Sequence, residues 1–401
     1  VSAAHRILAL ALLALASTAT AAEQTEADAY TRYELLDPAS HKFRIVYDVT
    51  ATTPGATRYF NPIRPGSTAS NEHVTDRATG KPLAFAEVGA AEAIAGGIPD
   101  AKPDSRWIAV TLARPVPANG GEGRIRIDKT YEDARSYFTD GTTIVFKRDL
   151  GIKRNAVLLP AGYDLIASNV PSQLLQQPDG RLLVSFWNSM PSAATLELRA
   201  APSRNRAPTV APPETIDERA AQNREIVYYL RDPASHSFDL THDYTETRAG
   251  TGHYLNIVRP GSTASNPSAR DLDTGAPLTV KTLTGAAAIR AYEPDAKDLA
   301  DTSTAILFTY APLAPGTTKR LRISETYTDA GRYSLTNGAL VWHRSLGRPA
   351  NAVVLPAGWT PTNISVPATV SVEPDGRMRI DLINPRLDDI DVLITATRTG
   401  G

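Results

Sequence analysis

The sequence predicts an all-β protein: two homologous antiparallel β-sandwich domains in series, joined by a Pro-rich linker. Three observations carry that prediction. Short motifs recur at a nearly constant offset, apolar residues alternate with polar ones at a period of two, and 30 prolines and 26 glycines punctuate the chain.

The recurrence is the strongest of the three. Asp37-Pro38-Ala39-Ser40-His41 returns as Asp232-Pro233-Ala234-Ser235-His236, and the segment Arg64 to Asn71 returns letter for letter as Arg259 to Asn266. Leu159-Pro160-Ala161-Gly162 returns as Leu355-Pro356-Ala357-Gly358, and Pro178 to Arg181 as Pro374 to Arg377. The offset is 195 early and 196 late, so one net residue separates the copies. A chain of 401 residues exceeds one typical domain, and two units of about 170–190 residues fit the usual size. The expected division is an export segment at 1–22, a first repeat at 28–200, a linker at 201–222 and a second repeat at 223–399.

At the N-terminus, His5 and Arg6 precede the apolar run Ile7 to Ala16. Small residues follow, with Ala-x-Ala spacing at Ala19 and Ala21. This predicts a secretory signal peptide cleaved near Ala21/Ala22, because the apolar run falls far short of the ~20 residues that cross a bilayer. Val1 in place of Met suggests an alternative bacterial start codon or a truncated record. The mature chain is expected in a periplasm or outside the cell.

Within each repeat the strands announce themselves by alternation. Phe43, Ile45, Tyr47 and Val49 share one face of a strand, as do Phe238, Leu240, His242 and Tyr244 in the second copy. Arg124-Ile125-Arg126-Ile127-Asp128 and Arg320-Leu321-Arg322-Ile323-Ser324 read polar out and apolar in. Ile144 to Phe146, Leu182 to Phe186 and Leu196 to Leu198 add further strands. Pro-Gly at 65–66, Asp-Gly at 140–141 and 179–180, and Asn-Gly at 337–338 supply the turns. Helix is expected only at Val88–Ala95, at Leu283–Ala291 and in the charged run Glu214–Asn223. Prolines 202, 208, 212 and 213 keep the linker extended and stiff.

Composition narrows the function classes. A formal net charge of −1 offers no general attraction for nucleic acid or an anionic membrane. With no cysteine, disulfides, thiolate metal sites and a cysteine nucleophile are all excluded. No His-Glu-x-x-His, Gly-x-Ser-x-Gly or phosphate-binding Gly-rich loop is present, so no cofactor or metal is expected.

What remains is the duplicated loop. Asn61, Arg64, Ser67 and Ser70, with Asn256, Arg259, Ser262 and Ser265, are the candidate binding residues. Arginine offers paired donors to a carboxylate or phosphate, and the Ser and Asn side chains add hydrogen bonds. The simpler structural alternative is a type II turn whose Arg pairs with an internal carboxylate such as Asp48. His41 and His236 read as turn residues bonded to backbone. Tyr131, Asp133 and Tyr137, matched by Tyr327, Asp329 and Tyr333, read as core rings and loop ties, with a sugar-stacking face as the alternative. Trp107, Trp187, Trp342 and Trp359 could join such a face. Asp388, Asp389 and Asp391 read as a solvated acidic turn.

The Pro-x-x-His lead-in at Pro38–His41 is followed by the strand Phe43–Val49, the Pro-Gly bend beside Arg64, and Thr79-Gly80-Lys81-Pro82-Leu83. Tyr131-x-Asp133, the hairpin Phe138–Phe146 and the strand end at 159–163 complete the pattern. Together these resemble the N-terminal β-sandwich domain of glycyl-aminopeptidase-type gluzincin metallopeptidases. The resemblance implies a fold and a role in contacting peptides. Those enzymes carry a helical catalytic domain with His-Glu-x-x-His, a motif missing from these 401 residues, so no catalytic or zinc-binding residue carries over.

The expected function is therefore binding of a peptide, a protein or a cell-envelope glycan by an exported, non-catalytic protein. Two alternatives stand beside it: a hydrolase with its site at the cleft between repeats, and a purely structural envelope module.

Overall fold

The computed structural model describes residues 22–203 and 216–398. The expected export segment, apart from Ala22, and residues 204–215 of the expected linker lie outside them.

The architecture is nearly all β. The first half builds a seven-stranded sheet in the spatial order Gln173–Gln176, Leu182–Trp187, Arg154–Leu158, Glu26–Leu35, Lys42–Ala51, Gly123–Glu132, Thr68–Asp76. The second half repeats this order with Thr369–Val372, Met378–Ile383, Ala350–Val354, Arg224–Leu230, Ser237–Glu246, Lys319–Thr328 and Thr263–Asp271. Each half adds a four-stranded sheet and a three-stranded sheet. In the first half these are Tyr163–Ser168, Ala194–Pro202, Thr143–Leu150, Tyr137–Asp140, and Arg58–Ile63, Arg106–Thr111, Phe85–Gly89. All pairings are antiparallel except one in each large sheet, where Glu26–Leu35 runs parallel to Arg154–Leu158 and Arg224–Leu230 to Ala350–Val354. A parallel neighbour needs a long crossover, a connection that local alternation does not reveal.

The core follows the alternation. Phe43, Ile45, Tyr47 and Val49 are buried together with Ile125, Ile127 and Tyr131 of the next strand. Rings set the packing: Phe43 meets Phe146 edge-on at 5.4 Å, and its counterpart Phe238 stacks on Tyr327 at 6.0 Å. Short helices occupy Ala90–Ala95 and Ala286–Arg290, inside the two stretches expected to be helical. The third expectation fails. Among the described residues of that run, 216–223 hold a turn at 219–221 and no helix, because the side chains are drawn into packing: Tyr30 donates to Glu218 at 2.9 Å, and buried Arg219 donates to the carbonyls of Gly347 and Asn384.

Where the halves meet, the outward face of the large sheets is covered, and the expected polar-out reading breaks down. The Arg124 side chain is 0% exposed and Asp273 5%. Arg124 donates through Nε and Nη2 to the two Asp273 oxygens at 2.6 and 2.7 Å, and to Thr318 Oγ1 at 3.0 Å. Backbone bonds cross alongside: Glu122 N donates to Leu272 O at 2.7 Å, and Thr318 N to Ala78 O at 3.0 Å. Arg320, the counterpart of Arg124, lies 3.6 Å from Glu122. Burial overrides Arg320 and pushes the Glu122 carboxyl up to about 7.

Candidate functional site

The duplicated loop is a turn with its polar side chains used in two ways. Ser67 N donates to Arg64 O at 3.1 Å and Ser262 N to Arg259 O at 3.0 Å. Gly66 and Gly261 both sit at φ 81, the left-handed position that a type II turn requires and glycine tolerates. Ser67 and Ser262 hydroxyls donate to Asp133 and Asp329, and Ser70 and Ser265 reach the carbonyls of Thr130 and Thr326. These four serines brace the loop.

Arg64 and Arg259 behave differently. Asp48, the expected internal partner, is taken by Arg126 at 2.6 and 2.8 Å and by Arg77 at 3.3 Å. Arg64 is half-buried and forms no ion pair among the described residues, and the same holds for Arg259. Burial lowers the Arg64 pKa and the nearby Arg148 guanidinium lowers it further; burial, Arg344 and Arg332 act alike on Arg259. An arginine held this way retains donors for an external acceptor.

Arg64 stands on the wall of a cleft of about 450 Å³ in which the three sheets of the first half converge. Its floor is aromatic: Tyr33, Tyr47, Tyr59 and Tyr131 are buried, and half-buried Trp107 flanks them. Two further cations enter. Lys129, only 4% exposed, donates from Nζ to Asn61 Oδ1 at 2.6 Å and lies 4.9 Å from the centre of the Tyr131 ring. Burial, reinforced by Arg148, brings its ammonium down to about 7. Arg148 lies 5.6–5.8 Å from the ring centres of Phe43, Tyr131 and Tyr33, and reaches Asp133 at 3.5 Å. Exposed Glu26, which accepts from Tyr59, is the only acid among the described residues of the lining.

Of the eight candidate residues, Asn61 and Arg64 line this cleft. Lys129 and Arg148 were missed by the sequence reading. Lys129 carried a usable signal, since Ile125, Ile127, Lys129 and Tyr131 share one register and place a lysine among inward apolar positions. Arg148 carried the same signal, since Ile144, Phe146, Arg148 and Leu150 alternate on one face of Thr143–Leu150.

The second half keeps the frame and changes the chemistry. Tyr33, Tyr59, Arg64, Tyr131 and Arg148 recur as Tyr228, Tyr254, Arg259, Tyr327 and Arg344. Lys129 becomes Glu325, whose carboxyl burial pushes up to about 7. Asn256 turns its amide toward that acid and donates to it and, at 2.8 Å, to Tyr327. Trp107 becomes Ala305, and Tyr47 becomes His242.

The remaining polar candidates serve the frame. His41 and His236 cap short turns at φ 54 and bond through Nδ1 to the carbonyls of Tyr137 and Tyr333 at 3.0 and 2.9 Å. Tyr137 is buried and donates to Leu36 O at 2.8 Å. Asp388 pairs with Arg386 at the surface.

No family model matches the chain, and no curated protein matches it. Among solved structures, part of the chain is similar to an aminopeptidase N family protein from Idiomarina loihiensis, with 12% identity and a TM-score of 0.27 over 43% of this chain and 29% of that one. It is also similar to a protein provisionally described as nutrient binding from Legionella pneumophila, with 10% identity and a TM-score of 0.27 over 45% and 68% of the two chains. A collagen adhesin from S. aureus shows 9% identity and a TM-score of 0.16 over 80% and 87%. The chain thus spans less than a third of the aminopeptidase family protein.

Proposed function

We propose that this chain is an exported, non-catalytic binding protein built from two copies of one β-sandwich unit, and that it captures a peptide, protein or cell-envelope glycan. The seat of binding is the cleft of the first half, with the loop containing Asn61 and Arg64 at its wall. One observation carries the reading. A half-buried arginine without an ion-pair partner among the described residues stands over a cleft floored by tyrosines and flanked by a tryptophan, and apolar pockets with a few converging polar groups are the usual form of a ligand site. The junction between the halves is a poorer seat for hydrolysis, because Arg124, Asp273 and Thr318 satisfy one another there and the neighbouring Glu122 and Arg320 are buried from a substrate.

The test is Arg64→Ala, screened beside the unmodified mature chain on peptide and glycan arrays and by thermal melting. The expected result is loss of capture with an unchanged melting temperature. Unchanged capture, or a fall in stability with capture intact, refutes this assignment. N-terminal sequencing of the protein recovered from a secreting host should begin near Glu23 if the export segment is removed as proposed.

A further inference from the structure

We propose that the first-half cleft, and not its second-half counterpart, recognises a carboxylate attached to an apolar or aromatic body. This inference rests on the binding function proposed above and names its ligand class and its half.

The lining carries Arg64, Lys129 and Arg148 against the single acid Glu26. Arg148 already leans on Asp133, and Lys129 is held by a neutral amide; Asp149 and Glu72 act on Arg64 and Lys129 only from a distance, so among the described residues no carboxylate is seated directly on either cation. A buried lysine among rings is costly without an anion. A ligand carboxylate would supply one, with Arg64 as a forked donor and Lys129 as a point charge.

The rest of the lining selects what is attached to that carboxylate. Tyr33, Tyr47, Tyr59, Tyr131, Ile45, Ile63 and Trp107 offer ring faces and aliphatic surface. A sulfate or free phosphate would meet the cations and leave these rings uncovered. A chain-terminal or free organic acid with an apolar side group would use both parts. The volume of about 450 Å³ falls in the range of small-molecule pockets.

Comparison of the halves assigns the site to one of them. Arg259 and Arg344 persist, but Lys129 is replaced by Glu325, and Asn256 donates to that acid instead of accepting from a lysine. An incoming carboxylate would face a carboxyl group there. Trp107 is Ala305, which removes the flanking ring. Two arginines in equivalent positions thus serve different chemistry, and a carboxylate would bind once per chain.

The experiment uses the mature full-length chain and four probes: N-acetyl-phenylalanine, its amide, an N-acetylated tripeptide ending in phenylalanine, and that tripeptide as its amide. Binding is followed by calorimetry and tryptophan fluorescence, with Trp107→Phe identifying the reporting ring. Free acids should bind roughly 10- to 100-fold more tightly than the amides, as loss of a charge-assisted hydrogen bond implies. Arg64→Ala should lose the same factor, while Arg259→Ala should bind as the parent does. A tripeptide acid binding better than the single residue acid assigns the carboxylate to a peptide terminus, and the reverse order to a free small acid. Equal affinity for acid and amide overturns the inference, as does equal damage from Arg64→Ala and Arg259→Ala. If no probe binds but array capture still depends on Arg64, this inference fails and the broader reading stands. If capture is also independent of Arg64, both fail.

Discussion

Arg124→Ala is the substitution whose cost follows most directly from the structure. It removes a side chain with no exposed surface and two short bonds to Asp273, and it strips Thr318 Oγ1 of its donor at 3.0 Å. Asp273 would then keep the Arg320 amide at 3.0 Å and a looser contact to Arg114 at 3.7 Å. Breaking a buried ion pair from one side costs about 3–5 kcal/mol, because the surviving charge is left in a poorly solvated place. Against a stability of about 5–15 kcal/mol, that is a large fraction. With a urea slope of about 2–3 kcal/mol/M, the midpoint should fall by roughly 1–2.5 M. Since the pair joins the two halves, urea curves followed by tryptophan fluorescence and by far-UV circular dichroism should also cease to coincide. The double variant Arg124→Met with Asp273→Leu removes both charges and should recover most of the loss. A cost below about 1 kcal/mol for Arg124→Ala would mean that water reaches the junction, and the reasoning would be wrong. A double variant as unstable as the single one would refute the desolvation argument instead.

The inverted pair Lys129 and Glu325 should give opposite pH signatures. Lys129 titrates at about 7 in the fold against 10.5 outside it, so the unfolded chain holds the extra proton in that window, and stability from this group rises between pH 7 and 10.5. Glu325 titrates at about 7 against 4.5, so the folded chain holds the extra proton, and stability falls as pH rises from 4.5 to 7. In denaturant titrations Lys129→Met should flatten the first limb, and Glu325→Gln should make the second shallower without abolishing it, because Glu122 shares that window; variants that keep the parent slopes would count against these assignments. Carboxylate affinity should decline above pH 7 as Lys129 loses its proton, in a setting that also holds Arg148, Glu72, Tyr131, Asn61 and Arg64; a flat profile from pH 6 to 9 would remove Lys129 from the site. Gly261→Ala puts a methyl at φ 81 with no neighbour within 4 Å, so it should cost about 1–2 kcal/mol from backbone strain alone. Gly66→Ala should cost somewhat more, because the new carbon would sit 2.5 Å from Arg135 Nη2 and would displace that side chain from Pro65 O.

Local chemistry made the turns and most strands legible. Asp37 and Asp232 accept from the amides of Ala39 and Ala234, and Pro-Gly takes φ 81 after Arg64 and Arg259; such devices act over a few residues and can be read from them. The inner faces were equally readable, since Phe43, Ile45, Tyr47 and Val49 alternate with residues whose solvent exposure decided nothing about register. The site was only half legible. Asn61 and Arg64 drew attention because they recur, yet recurrence said nothing about where the guanidinium goes.

The amino-acid sequence by itself determined the all-β class, the repeated motif skeleton and the two short helical stretches, because propensity and period act through near neighbours. Tertiary structure decided the rest. Burial of Arg124 and Asp273 arises only when a strand of one half meets a turn of the other, and the parallel pairing of Glu26–Leu35 with Arg154–Leu158 joins segments more than a hundred residues apart. Lys129 gains its altered proton affinity from burial beneath other strands and from Arg148 on one of them. Long-range contact sets dielectric and charge environment, and a sequence window contains neither.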